Sequence, residues 1–460
     1  MINYLELENF KSFTHVLLDL RQAHRAPKNM VFIYGENGAG KTHIINAFDF
    51  IKIVFQTMNF QHMSQELSNR LGELTDEERN TIPMDIIGAF VQNNFLTLQK
   101  LVEKNKQLST TQPMRIKVGF YINKEVSGFY EMVFDVKGEV IEENLYAPIK
   151  KRKGYYFKVT KDSIQLSKSI FSPEFRDALE KKMKQYWGKH TLGALLLYEY
   201  MTKNKEYMAA NVLGALKEIL GEFNSISSLT RSVQGEQIEL RGKIPLPGNL
   251  EKGKLPIEAK TMLQKWETSI NAMFVGFYAD LERVYYRFTE EGNSISYELI
   301  FRKQIAGRMI DIPVSMESTG TKKLVQLLPL FIAMVDGGIV CIDEIDTSVH
   351  DILMENILAR LSEDMTGQCI ATTHNTHLME RLSPEDVYII AIDEDGNREI
   401  RCISEYGQRI QKNNNLKKKY LSGAYDGVPY VGYVDFERVA SELHEEVENT
   451  YGSDSGHAKE

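Results

Sequence analysis

A mixed α/β sheet built around a phosphate-binding P-loop, with an antiparallel β lobe and helical insertions, is the architecture this sequence predicts. Three observations carry it. Gly35–Thr42 (GENGAGKT) fits the pattern G-x-x-x-x-G-K-[ST] at every fixed position. Gly338–Asp346 (GIVCIDEID) delivers two carboxylates from the end of a short apolar run. Between them, from Met114 to about Ser169, the apolar residues recur with a period of two.

Residues 1–58 form the first expected segment. Ile2, Leu5 and Leu7, then Val16, Leu18 and Leu20, read as two strands around the turn NFKSF. Met30–Tyr34 (MVFIY) reads as a buried strand, and Ile44, Ile45, Phe48, Ile51, Val54 and Phe55 follow at helical spacing. Strand, glycine loop and helix are the context the motif needs. Glycines let backbone N–H groups turn inward around phosphate oxygens, and the helix N-terminus adds partial positive charge. Gly35, Glu36, Asn37, Gly38, Ala39, Gly40, Lys41 and Thr42 are therefore the candidate residues for binding a nucleoside triphosphate. Lys41 would reach the β- and γ-phosphates, and the Thr42 hydroxyl would ligate Mg²⁺.

Residues 59–112 become polar and helical, with LGELTDEERN as a loop and Met84, Ile87, Val91, Leu98, Leu101 and Val102 on one apolar face. Residues 113–169 form the antiparallel lobe. Its strands carry Ile116, Val118, Phe120 and Ile122, then Tyr130, Met132, Phe134 and Val136, then Tyr155, Phe157 and Val159. Residues 170–283 read as a second helical insertion. A Gly/Pro-rich connector, GKIPLPGNLEKGKLP, precedes its last helix, which bears Leu263, Trp266, Ile270, Phe274, Phe277 and Leu281. Residues 284–407 open on a strand pair turned by EEGN and contain the carboxylate strand. Residues 408–460 are polar, ending in a helix and an acidic tail. Neither internal repeats nor sustained heptads are visible, so no long coiled-coil arm is expected.

Composition is that of an ordinary globular protein, 43% apolar and 26% charged, with a net charge of −8. That charge argues against a chain dominated by phosphate-backbone binding. The basic runs at Lys150–Lys153 and Lys417–Lys419 read as solvated faces, so DNA is left open as a partner but is not indicated. No apolar run approaches a membrane span and the first residues resemble a strand, which points to a cytoplasmic protein without a membrane partner. The three cysteines, Cys341, Cys369 and Cys402, are far apart and form no C-x-x-C pair; Cys341 and Cys369 read as inert core residues.

Ile339–Ile342 reads as a buried strand that brings Asp343 and Glu344 to one end. Asp343 would hold Mg²⁺ through water, and Glu344 would polarise the attacking water. Lys41 and Asp343 lie about three hundred positions apart, a separation that suits a P-loop protein with large insertions. Shortly upstream, Ser318–Thr321 (STGT) opens a helix bearing Leu324, Leu327, Leu328, Phe331 and Ile332, and Pro329 inside it should bend it. Serine and glycine at a helix N-terminus form an anion site.

This order of motifs resembles ABC-type ATPases of the group containing RecF, SMC-like heads and OLD-family proteins. The opening LELENFKSF resembles the group as well. The resemblance implies an ATPase head that hydrolyses ATP to ADP and phosphate. It implies that Ser318 and Gly320 belong to a signature that contacts the γ-phosphate held by the opposite protomer. It also places Asp346 in a D-loop, with His350 in a frequent position there, and His374 (ATTHNTH) as the switch histidine near the γ-phosphate. YLSGAYDGVP at Tyr420–Pro429 echoes a further family motif, with Asp426 where glycine is more usual. The glutamine of the Q-loop has two candidates, Gln56 and Gln92, and neither is assigned.

Asp393 and Asp395 stand between VYIIAI and REIRCI and read as a hairpin turn, so a Toprim nuclease does not fit. His374 and His377 alone lack the further ligands a metal site needs. The resemblance then extends to stand-alone ATPases of bacterial phage-defence systems, the PARIS type among them. It implies a homodimer or higher homo-oligomer around sandwiched ATP, a separately encoded effector (nuclease or toxin) and a phage protein as trigger. The alternative is a DNA-repair ATPase like RecF.

Overall fold

The computed structural model describes residues 1–22, 26–73, 97–149, 152–232, 235–241, 248–406, 415–429 and 432–451. Residues 1–427 form one compact unit and residues 428–460 a second.

Strands β1 (Ile2–Phe10) and β2 (Phe13–Asp19) pair antiparallel around a tight turn, with Lys11 at a φ of 49°. β3 (Met30–Gly35), buried along its whole length, leads through the glycine loop into helix α1 (Lys41–Glu73). That helix continues unbroken past residue 58, where the sequence suggests a boundary. Met84, Ile87 and Val91 lie outside the described residues. Leu98, Leu101 and Val102 form the buried face of α2 (Leu98–Asn105), whose first turn Thr97 caps.

The lobe contains β4 (Met114–Tyr121), β5 (Ser127–Phe134), β6 (Val140–Ile149), β7 (Arg152–Thr160) and β8 (Ser163–Leu166). With β1 and β2 they make a seven-stranded antiparallel sheet in the order β2-β1-β4-β5-β6-β7-β8. The period-two reading holds through Phe134, since Ile116, Val118, Phe120, Tyr130, Met132 and Phe134 are fully buried. It fails at Tyr155, which is exposed while Tyr156 is buried. The cause is a register shift between Leu145 and Tyr146: Leu145 faces Phe157, but Tyr146 faces Tyr155, and Tyr156 is the extra residue. Val136 lies beyond the end of β5 and is exposed.

Helices α3 (Pro173–Tyr186), α4 (Leu192–Thr202), α5 (Lys205–Asn211) and α6 (Leu216–Asn224) follow. The helical insertion expected over 170–283 then needs correction. β9 (Ser227–Ser232) and β10 (Gly235–Glu239) are strands of the main sheet, and β9 lies directly beside the carboxylate strand. SSLTRS is short and polar, so it carries neither a period nor an apolar run to announce a strand. The Gly/Pro connector likewise ends in a strand, β11 (Lys252–Pro256), which pairs with β13.

After α7 (Lys260–Val275) come β12 (Leu281–Glu291), β13 (Ser294–Ile305) and β14 (Arg308–Pro313), which with β11 form a small antiparallel sheet. Phe274 of α7 packs edge-on against Phe301 at 5.3 Å, fixing helix to sheet. Helix α8 (Thr319–Val335) contains the expected Pro329, buried. β15 (Ile339–Ile342), α9 (Asp351–Asp364), β16 (Gln368–Thr372), β17 (Val387–Ile392) and β18 (Arg398–Cys402) complete the core. Asp393 and Asp395 do sit in the β17–β18 turn, where Asp393 Oδ1 accepts from the Asp395 and Asn397 amides. Short α10 (Leu416–Leu421) follows, and the second unit contains α11 (Phe436–Tyr451).

The central sheet runs β10-β9-β15-β16-β3-β17-β18. Its five inner strands are parallel, so the loops after β3, β15 and β16 leave from one edge. Helix α1 touches β3, β9, β15 and β16 along one side. Phe50 meets Phe10 and Phe134 of the lobe edge-on, at 6.0 Å and 5.6 Å. The helix that begins at the glycine loop is thus clamped between the two large sheets.

Candidate nucleotide site

The glycine loop is closed on itself by steric demand and by its lysine. Gly35 has a φ of 152°, and a Cβ there would lie 2.8 Å from the Ile390 carbonyl oxygen. Gly40 has a φ of 107°, and its Cβ would meet the Phe13 ring and the Ser12 hydroxyl at 2.9 Å. Both positions therefore need glycine. Lys41 Nζ donates to the carbonyls of Gly35 (2.9 Å) and Glu36 (2.8 Å). Burial lowers the lysine's pKa, against the opposing pull of Asp343, Glu344 and Glu36.

Thr42 lies in the first turn of α1, facing the end of β15. Its hydroxyl donates to Asp343 Oδ2 at 2.9 Å, and Thr372 Oγ1 donates to Asp343 Oδ1 at 2.7 Å. Asp343 is 2% exposed, and burial pushes its carboxyl up while the two hydroxyls pull it down. Adjacent hard oxygens from a hydroxyl and a buried carboxylate suit Mg²⁺, whose charge would offset the burial.

Glu344 adopts a φ of 50°, uncommon for a non-glycine residue. Its amide donates to Thr372 Oγ1 at 2.8 Å, so Thr372 fixes both carboxylate residues. The Glu344 carboxylate accepts from Thr347 Oγ1 at 3.0 Å and from the Arg231 guanidinium.

His374 follows β16 on a tethered loop. Asn375 accepts from the Tyr34 hydroxyl through its carbonyl and donates to Asp351 through Nδ2. The neighbouring His374 is only partly covered. Partial burial and then the Lys41 cation lower its pKa, opposed by Glu344, Asp346 and Asp343, so the ring shares one electrostatic field with these groups. Hydrogen bonds thus join Thr42 to Asp343 and, through Thr372, Asp343 to Glu344, while His374 stands two residues after Thr372.

Ser318 caps α8, accepting from the Thr321 amide at 3.1 Å, and a Cβ on Gly320 would lie 2.5 Å from the Ser348 carbonyl oxygen. Among the described residues, no hydrogen bond or ion pair joins either one to Gly35–Thr42. His350 caps α9, with Nδ1 accepting from the Ile352 amide, and Asp346 is half-buried with its carboxyl pushed up by burial. Asp426, standing where glycine is more usual, has a φ of 53°, and Tyr420 of that motif packs against Tyr34 at 6.0 Å. Gln56 is buried against Asn224, and Gln92 lies outside the described residues. Among the described residues, the ligand atoms close enough to share an ion belong to Glu6, Glu8 and His15, not to His374 and His377, and Arg115 already pairs with both glutamates.

Sequence reasoning missed Thr372 and Arg231. A signal for Thr372 existed: it is the polar last residue of an apolar strand that ends beside the P-loop. None existed for Arg231, whose strand went unrecognised.

The family model described as the RecF/RecN/SMC N terminal domain matches residues 1–399. The chain belongs to that family. It is a family of ATPases, normally binding ATP with Mg²⁺. A retron Ec83 probable ATPase of Escherichia coli is 20% identical over 417 residues, covering 84% of this chain and 70% of that protein. Among solved structures, the SMC head domain from Thermotoga maritima is 17% identical, covering 87% of this chain and 98% of that one, with a TM-score of 0.39. An SMC head bound to the C-winged helix domain of ScpA gives 16% identity, 87% and 97% coverage, and a TM-score of 0.39. Among the described residues no helix is long and apolar enough to cross a membrane.

Proposed function

We propose that this member of the RecF/RecN/SMC family is an ATP-driven switch. It binds ATP with Mg²⁺, dimerises around it, hydrolyses it to ADP and phosphate, and controls a separate effector in anti-phage defence. The observation that carries the reading is the convergence of Lys41, Thr42, Asp343 and Glu344 at one sheet edge, through side chains about three hundred positions apart. Family membership supports nucleotide use. The similarity to a retron ATPase supports the defence role and an effector partner.

In this reading the Lys41 ammonium exchanges its two carbonyl partners for the β- and γ-phosphates. Thr42 and Asp343 would hold Mg²⁺, which would supply positive charge to offset that of the phosphates. Glu344 orients a water for in-line attack on the γ-phosphorus, and the bond to the β-phosphate oxygen breaks. His374 faces the γ-phosphate from the next loop. Ser318 and Gly320 complete the site of a second protomer. ATP then favours the closed dimer and hydrolysis releases it, which is how a switch acquires two states. The net charge of −8 weighs against the second reading, a RecF-like DNA-repair ATPase.

The test is Glu344→Gln. The variant should retain ATP, slow turnover by on the order of a hundredfold or more, and accumulate closed dimers in size-exclusion runs with Mg²⁺ and ATP. Wild-type turnover would remove Glu344 from its role. Hydrolysis stimulated by gapped DNA would favour the second reading.

A further inference from the structure

Arg231 stands on β9, beside β15, and its guanidinium spans two carboxylates. Nε and Nη2 each donate to Glu236 Oε1 at 3.1 Å, while Nη1 donates to Glu344 Oε2. That same Glu344 oxygen accepts from Thr347 Oγ1 at 3.0 Å. Glu236, on β10, also accepts from Lys323 Nζ at 2.7 Å. Lys323 is 4% exposed and lies in the second turn of α8, the helix that Ser318 caps. A chain of ion pairs therefore runs from α8 through Glu236 and Arg231 to Glu344.

A carboxylate oxygen that already accepts from a guanidinium and a hydroxyl is a poor acceptor for a further water proton. In the arrangement described here, the side chain assigned to orient water is occupied on one oxygen. We propose that Arg231 is a positioning residue that latches Glu344 away from the attacking water, with Glu236 competing for the same guanidinium. The proposal rests on the reading of Glu344 as the water-orienting group. When α8 shifts and draws Lys323 from Glu236, that carboxylate takes the guanidinium fully and Glu344 is released. Because α8 starts at the serine–glycine turn assigned to the partner's nucleotide, dimer closure and release of Glu344 become one event. Without a partner the latch holds basal hydrolysis down.

The latch is modest. Arg231 and Glu344 side chains are 37% and 30% exposed, so water competes for both.

The experiment measures steady-state hydrolysis of Mg·ATP by the full chain, with kcat and KM separated, for Arg231→Ala, Glu236→Gln and the double variant. Arg231→Ala should raise kcat about two- to fivefold at unchanged KM, the range a half-exposed pair supports. Glu236→Gln leaves the guanidinium to Glu344 alone and should lower kcat by a similar factor. The double variant should match Arg231→Ala, because Glu236 acts only through Arg231. General structural damage would depress both single variants and compound in the double. A kcat that falls or stays level in Arg231→Ala overturns the latch, and a large fall would mark an arginine acting on the phosphates instead. If Arg231→Ala does not fold, Arg231→Gln keeps the side chain's length without its charge and carries the same expectation. Normal turnover by Glu344→Gln would instead sink the reading of Glu344, so the two failures are told apart.

Discussion

Two buried acids, Asp343 at the edge of the central sheet and Glu143 in the β lobe, answer the same electrostatic problem in opposite ways. Burial pushes both carboxyls up. Asp343 is held by two side-chain hydroxyls, Thr42 and Thr372, and stands near a lysine that rests on loop carbonyls. Glu143 is held by the Tyr130 hydroxyl at 2.6 Å and by the amides of Leu192 and Gly193, at the start of α4. Hydroxyls and an ammonium can be traded for a metal or a phosphate at little cost. Amides of a packed helix terminus cannot be traded. In the proposed reading the one acid marks a place that exchanges partners, whereas the other marks a joint between sheet and helix.

The sharpest way to break this contrast is Lys41→Ala. Loss of charge-assisted bonds to two phosphates should weaken ATP binding by on the order of a thousandfold. The melting temperature without nucleotide should hardly change, since only two loop carbonyls lose a partner. Titration calorimetry together with thermal melts checks both halves, and undiminished ATP affinity would remove the loop from the nucleotide site. The counterpart is Glu143→Ala. It strands a hydroxyl and two amides in a dry interior, which should cost about 3 kcal/mol or more of stability in urea unfolding. ATP affinity should persist in whatever fraction folds. A loss of ATP binding by folded protein would show that the lobe and the loop are not the separate devices described here.

What could be read in the sequence follows the same division. The glycine loop and the carboxylate strand were legible because each needs particular residue types at backbone-fixed positions. Gly35 and Gly40 leave no room for a Cβ, and Ile339–Ile342 must be apolar on both faces. Asp426 was legible as a departure from glycine, and its φ of 53° is the backbone reason that glycine is usual there. The ladder of strands was legible until the bulge at Tyr156, where one extra residue reverses which tyrosine is buried. Arg231 and Glu236 were invisible. Their strands are short and polar, and contacts with β15, the buried Lys52 and Lys323 hold them in the central sheet. Lys52 Nζ pairs with Glu239 at 2.6 Å and donates to Ser228 at 2.9 Å.

The smallest expected effect is also the one that separates the two acids most cleanly, because it needs no ligand. The Glu143 carboxyl is pushed up to about 7, whereas in the unfolded chain it titrates near 4.5. Between those values the folded protein holds a proton that the unfolded chain has released. Stability from this group is therefore fully present at the acid end and is lost as the pH rises through 7, by up to about 3 kcal/mol. Two histidines oppose it. Burial holds His43 and His190 down at about 4, so the folded state resists protonating them, and their contribution is lost as the pH falls from 6.5 through 4. The wild-type pH profile thus sums opposing slopes over the same window and will look flatter than either. Subtracting the profile of Glu143→Gln, which keeps an acceptor oxygen but cannot titrate, isolates the acid. The difference in unfolding free energy should fall from pH 5 to pH 7.5 and level off above that. A difference that is constant with pH would mean that Glu143 ionises in the folded protein as easily as in water, and that its three donors hold a charge rather than a protonated acid.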